Sequence, residues 1–295
     1  MKSFQVITDS TSDVELSYRN EYGLDYVQMV FSIAGREYPA SLDWEELSAS
    51  DYYNLMRNGN RATTGLVNAV EFSNKFEKYL SKGLDVLYIS CSSRLSGSLN
   101  NAKIVAAELM DKYPNNKVIC FDSLRSNYSQ GMMALDAAML ANKGKSIDEA
   151  ARELSIHRLR YQTYATVDSL EWLRKAGRVK ASSAFFGNLF GVKPIIVGDA
   201  AGNNYAFKKI RGRKQSLEAL AKIVDERIIN RKEATVFIEH ADCLEDALFL
   251  KDLIIDMVNP KKINISNVGP IIGATVGPNS ITVNFYGEKV TILGE

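Results

Sequence analysis

Histidine is scarce, with only His157 and His240 in 295 residues. A Ser–His–acid hydrolase needs an imidazole base. His157 falls in an arginine-rich helical stretch and His240 ends a strand-like run before a helix, so each reads as a surface or capping residue. Cysteine is thin too: Cys91, Cys120 and Cys243 are odd in number and far apart. That usage fits reduced structural thiols in a cytoplasmic protein. With no close Cys/His cluster and scattered aspartates, no metal and no cofactor are expected. Neither sign of charge dominates, 36 Lys+Arg standing against 35 Asp+Glu, which removes bulk electrostatic support for a nucleic-acid partner. A phosphate-loop lysine motif and a dinucleotide glycine fingerprint are both missing. No apolar window reaches bilayer-spanning length. The nearest, residues 181–192 with Phe185, Phe186, Leu189 and Phe190, is too short and is followed by Lys193. At the N-terminus Phe4 to Asp9 reads as a strand rather than a signal-peptide core.

What is present is organised around Leu84 to Cys91, an apolar run that empties into Ser92-Ser93-Arg94-Leu95-Ser96-Gly97-Ser98. Leu99 to Met110 then reads as a helix. A loop entering a helix offers unpaired N–H groups and the positive end of a helix dipole. In open α/β sheets ligands lie at such strand ends. One serine would merely cap the helix; four serines around one glycine exceed that need. Asp9-Ser10 and Asp122-Ser123 lie on two more such loops, and Thr63-Thr64 on a loop spanning Arg61 to Gly65. Hydroxyls, backbone N–H groups and one arginine, Arg178, suit capture of a carboxylate or phosphate. They suit binding better than turnover.

Strand–helix alternation to about residue 160 argues for a parallel sheet covered on both faces. Beyond Tyr161 strands outnumber helices and a mixed sheet is expected. The reading is therefore α/β with two domains: a parallel-sheet domain over 1–160 and a mixed-sheet domain over 161–295. Within this outline Tyr26 to Ile33 reads as one strand, and Trp44 to Arg57 as one or two short helices capped by Ser50.

At this point the residues resemble a known family. Ile7-Thr8-Asp9-Ser10-Thr11-Ser12-Asp13 is similar to the opening of the DegV family, bacterial fatty-acid-binding proteins that include the FakB subunits of fatty acid kinase. Ser92 to Asn100 resembles its serine loop. Phe121-Asp122-Ser123, Lys175-Ala176-Gly177-Arg178-Val179, Lys193-Pro194-Ile195-Ile196, Arg211-Gly212-Arg213-Lys214 and Val268 to Gly273 fit as well. The resemblance, which runs from residue 4 to about 292, implies a long-chain fatty acid in an apolar tunnel between the two domains. Its carboxylate would meet Thr63, Thr64, Ser92, Ser93, Ser96, Arg178 and Thr275, and Phe185, Phe186, Leu189 and Phe190 are candidates for the tunnel wall. In the family's kinase system a separate ATP-using kinase subunit phosphorylates the bound acid, so the binding protein is a carrier and not an enzyme. The basic run Arg211 to Lys214 would face that partner, make transient contact with an anionic membrane, or form a solvated turn.

The chain reads as a divergent member. Thr275 stands where the family often has histidine, and Gly65-Leu66-Val67 replaces a Ser-Gln-Pro stretch. A hydroxyl hydrogen-bonds a carboxylate but supplies neither a titratable proton nor a positive charge, so lipid binding survives the change more easily than a role in phosphorylation. Two other readings stand beside the carrier. One is an acyl or phosphoryl transferase using Ser93 or Ser96 as nucleophile, which the shortage of histidine weakens. The other is a structural or regulatory protein whose ligand only stabilises it.

Overall fold

The computed structural model describes residues 2–180 and 191–294. In chain order the first part runs β1 (Phe4–Asp9), α1 (Leu16–Tyr22), β2 (Asp25–Val27), β3 (Val30–Ile33), β4 (Arg36–Pro39), α2 (Ala49–Arg57), β5 (Thr63–Gly65) and α3 (Ala69–Leu80). It continues through β6 (Asp85–Ser90), α4 (Ser98–Lys112), β7 (Val118–Asp122), α5 (Asn127–Asn142) and α6 (Ile147–His157). The second part holds β8 (Tyr161–Thr166), α7 (Leu170–Ala176), β9 (Val179–Lys180), β10 (Val192–Gly198), β11 (Asn204–Arg211) and α8 (Arg213–Arg227). β12 (Thr235–His240), α9 (Leu244–Val258), β13 (Lys262–Asn267), α10 (Pro270–Val276) and β14 (Ile281–Tyr286) complete it.

Three sheets result. The first is four-stranded and parallel throughout, in the order β2-β1-β6-β7. The chain reverses its winding direction between β1 and β6, and a crevice opens beyond their carboxyl ends. The second is a mixed seven-stranded sheet, β13-β12-β14-β8-β10-β11-β9, whose central β14 and β8 pair antiparallel. The expected parallel and mixed sheets are both present. The third, a small antiparallel sheet β4-β3-β5, was not legible in the sequence.

That small sheet corrects two expectations, and the start of α2 corrects a third. Tyr26 to Ile33 is not one strand: β2 joins the parallel sheet and β3 leaves it, with Ser10 Oγ accepting a hydrogen bond from Met29 N in the gap. The Arg61 to Gly65 loop contains β5, so Thr63 and Thr64 are strand residues on opposite faces. Helix α2 is capped by Ser48, whose side chain accepts from Asp51 N, and not by Ser50.

α5 joins the two large sheets. Twelve of its sixteen residues are buried, and it packs on β1 and β6 on one side and β8 and β14 on the other. A helix apolar nearly all round belongs in an interior. Its close approach to the loop after β1 needs glycine, because a Cβ on Gly131 would stand 2.6 Å from Ser12 O and 2.5 Å from Val14 Cγ2. At α10, two buried tyrosines of α2 fix the backbone: Tyr52 OH donates to Pro270 O at 2.8 Å and Tyr53 OH to Val268 O at 2.6 Å. No described helix is long and apolar enough to cross a membrane.

Candidate functional site

The carboxyl ends of β1, β6 and β7 meet, and one carboxylate ties the first two together. Asp9 Oδ2 accepts from Tyr88 OH at 2.7 Å and from Cys91 N at 3.1 Å. Its Oδ1 accepts from Thr11 N at 3.0 Å and from Gln130 Nε2 at 3.2 Å, so α5 is drawn into the same knot. Asp9 is fully buried, and these donors satisfy it without a counter-ion. Its role is to hold the loops.

Those loops and the inner face of the mixed sheet enclose a cleft of about 840 Å³, open mouth included. Thr11 and Cys91 line it from the parallel sheet, Thr163, Ala165, Ile196 and Thr282 from the mixed sheet. Thr64, Ser96, Arg178 and Thr275, four of the expected head-group residues, come together here from four separate elements. Among the described lining residues Arg178 is the only charged one. It follows Gly177, whose φ of +66° ends α7 in the left-handed conformation, and Arg178 is exposed, its guanidinium donating among the described residues only to Ala176 O at 2.9 Å. Met29, Leu66, Leu95, Val179, Ile271 and Val276 supply apolar wall.

The other three expected residues point elsewhere. Thr63 faces away from Thr64 and does not line the cleft. Ser92 is buried, its Oγ donating to Gly202 O at 2.7 Å. Ser93 is exposed and held by Asp122, with Oγ donating to Oδ2 at 2.6 Å and N to Oδ1 at 3.2 Å. The serine loop is thus divided in use. Its first half ties down the strand ends; its second half reaches the cleft. There Ser96 Oγ accepts from Ser98 N at 3.2 Å, and Ser98 Oγ accepts from Val67 N at 3.2 Å, so the residues after β5 are fastened to the start of α4. Phe185, Phe186, Leu189 and Phe190 lie outside the described residues.

Several polar liners were missed in the sequence. Ser126 and Asn127 follow the flagged Asp122-Ser123 pair and open α5. Thr163 and Thr282 are isolated threonines inside strands, where alternation gives no sign of them. Behind them runs a buried network: Thr163 Oγ1 is 2.6 Å from Asn284 Oδ1, and both Asn284 Nδ2 and Thr282 Oγ1 donate to Glu239 Oε2 at 2.7 Å. Asp13 completes it, buried beside Glu239 and next to the Gly269 backbone. Burial and the neighbouring Glu239 push the Asp13 carboxyl well above its usual range. Glu239 is raised too, by burial, but its donors oppose the shift, so the shared proton belongs on Asp13.

Nucleophile chemistry finds little support. His240 Nδ1 accepts from Cys243 N at 3.3 Å, a capping contact at the start of α9. His157 lies 2.6 Å from Tyr286 OH and 3.2 Å from Glu153. Neither imidazole is a partner of Ser93 or Ser96. All three cysteines are free, and burial raises each thiol, Cys120 and Cys243 to about 12. In the basic run, Arg213 is committed to Asp246 at 2.8 Å and Asn279 O at 2.7 Å, leaving Arg211 and Lys214 nearer solvent.

A family model described as an uncharacterised protein of the DegV family matches residues 3–288. The chain belongs to the DegV family. A DegV domain-containing protein of Clostridium perfringens is 35% identical over 288 residues, covering 98% of this chain and 99% of the relative. Two solved DegV structures are similar throughout, both at 25% identity. One, reported for fatty acid binding of a DegV family protein from Thermus thermophilus, has a TM-score of 0.85 and covers 97% of this chain and 100% of its own. The other, a DegV fatty acid binding protein from Bacillus subtilis, has a TM-score of 0.84 and covers 98% and 100%. DegV membership and the α/β architecture expected from the sequence therefore both hold.

Proposed function

We propose that the protein binds a long-chain fatty acid in the cleft between its two large sheets and carries it without chemically changing it. The carboxylate meets Arg178 and the hydroxyls of Thr64, Ser96 and Thr275, and the chain runs along the apolar wall. One observation carries this reading: an otherwise uncharged cleft has a single guanidinium among its described lining residues, and the hydroxyl-bearing Thr64, Ser96 and Thr275 line the same cleft. Likeness to DegV proteins reported to bind fatty acids supports it. Each buried methylene adds roughly 0.8 kcal/mol before ordering costs, so the tail supplies most of the affinity. The head group needs only to be satisfied.

Arg178 and Thr64 are exposed, so a head group held there stays within reach of a second protein. Thr275 offers that protein no imidazole, which favours carriage over presentation to a fatty acid kinase subunit. Native mass spectrometry of protein purified from cells tests the reading. The expected result is a mass increment equal to one acyl chain, lost on delipidation and restored by oleate. A bare protein whose melting temperature neither oleate nor palmitate moves would overturn it. Labelling of Ser93 or Ser96 by a fluorophosphonate would instead support the transferase.

A further inference from the structure

Further along α5 from the cleft lies a second cavity of about 940 Å³, open mouth included, which the fatty-acid reading does not use. Its chemistry is the reverse of the cleft's. Tyr18, Tyr22, Tyr161, Phe237 and Tyr286 contribute five aromatic rings, and no lysine, arginine or histidine lines it among the described residues. Its only charged liners are Asp136 and Glu233. Glu233 already pairs with Lys261 at 2.9 Å, whereas Asp136 makes no ion pair among the described residues. The Asp136 carboxylate accepts one hydrogen bond, from Tyr161 OH at 2.6 Å, and borders both this cavity and an adjoining one of about 780 Å³. Burial raises its carboxyl, while Tyr161, His157 and Lys143 act to keep it ionised.

A half-buried carboxylate with no ion-pair partner among the described residues, set among aromatic rings of which Tyr18 alone already carries a described cation, Lys262, selects for a cation. The apolar area of Leu135, Met139 and the rings asks that the cation carry hydrocarbon. A second fatty acid is disfavoured, since its carboxylate would face Asp136. We propose that this cavity binds a small organic ammonium ion, with its charge beside Asp136 and its alkyl groups among the tyrosines.

Calorimetric titration of the intact protein with choline and benzyltrimethylammonium tests this, with 3,3-dimethylbutan-1-ol as choline's neutral isostere. Saturable ammonium binding is expected, weaker by roughly tenfold for the isostere and by roughly tenfold in Asp136→Asn. Glu233→Gln, already paired in the wild type, is expected to change affinity by less than about threefold. Should Asp136→Asn fail to fold, the wild-type comparison of choline with its isostere still decides the matter. Equal binding of the two, no saturable binding at tens of millimolar, or full affinity in folded Asp136→Asn would each overturn the proposal. So would displacement of choline by oleate, which would put both ligands in one cavity. A protein that binds choline but no oleate would leave this inference standing and remove the fatty-acid reading.

Discussion

The two cavities share a wall and differ in where their polarity comes from. The cleft lies at strand ends and the start of α5, and there the polar liners include hydroxyl side chains and Arg178. The rear cavity lies along the flank of α5, where the backbone is spent within the helix and only side chains speak: Met132, Leu135, Asp136 and Met139. Strand-to-helix junctions leave amides free and so favour anions. A helix flank has no such bias, and here one aspartate and a ring of aromatics turn it the other way. One buried helix thereby borders the cleft proposed for a carboxylate and the cavity proposed for a cation.

The harshest way to break the comparison is to move that shared wall. Gly131→Ala would set a Cβ 2.6 Å from Ser12 O and 2.5 Å from Val14 Cγ2, so α5 must shift away from the loop after β1. A loss of about 3 kcal/mol in denaturant unfolding is expected, with weaker binding at both cavities. Unchanged stability would mean that α5 is not packed tightly against that loop.

Arg178→Ala separates the two sites. Removing the only charged group among the cleft's described liners is expected to weaken oleate binding about tenfold, the loss of roughly one exposed charge-assisted hydrogen bond. Choline affinity should stay the same. Oleate titration by calorimetry checks this, and equal affinity in the variant would move the head group away from Arg178.

How much of this was legible in the sequence follows from how local each signal is. The Leu84 to Cys91 strand, its serine loop and the helix that follows all rest on contiguous patterns, and all are there. β4 and β5 are short strands, four and three residues long, held only by pairing to β3, so no local periodicity marked them. Ser92 and Ser93 looked equivalent to Ser96 in the sequence. Which hydroxyl turns to the cleft depends on Asp122 and Gly202, which lie 29 and 110 residues away. The rear cavity was invisible for the same reason, because its tyrosines come from α1, β8 and β14.

The Asp13–Glu239 pair sharpens the picture at intermediate cost. Thr282 lines the cleft and donates to Glu239, so the pair lies directly behind the cleft wall. Asp13 has its carboxyl raised in the fold, so the protonated form is the one the native state favours. The stability it contributes is full below the ordinary carboxyl pKa and is lost as pH rises through the folded value. Asp13→Asn keeps the neutral shape at every pH, and asparagine accepts the φ of +52° found there. A gain of about 1 kcal/mol at pH 8, with a flatter pH–stability curve, is expected from denaturant titrations. A variant less stable than wild type at pH 8 would show that the ionised pair is tolerated.

The smallest effect is expected at Ser93, and it tests the division of the serine loop. Its Oγ and N are both engaged by Asp122, at 2.6 and 3.2 Å, and it does not line the cleft. Ser93→Ala removes the hydroxyl contact and leaves the backbone one. An exposed substitution of that kind changes free energy by less than about 0.5 kcal/mol, or roughly twofold in oleate affinity. Ser96→Ala, at a hydroxyl that does line the cleft, should cost more in the same titration. If the order were reversed, the loop would have to rearrange when the acid arrives, releasing Ser93 from Asp122 to meet the carboxylate, and the cleft would be formed by its ligand instead of waiting for it.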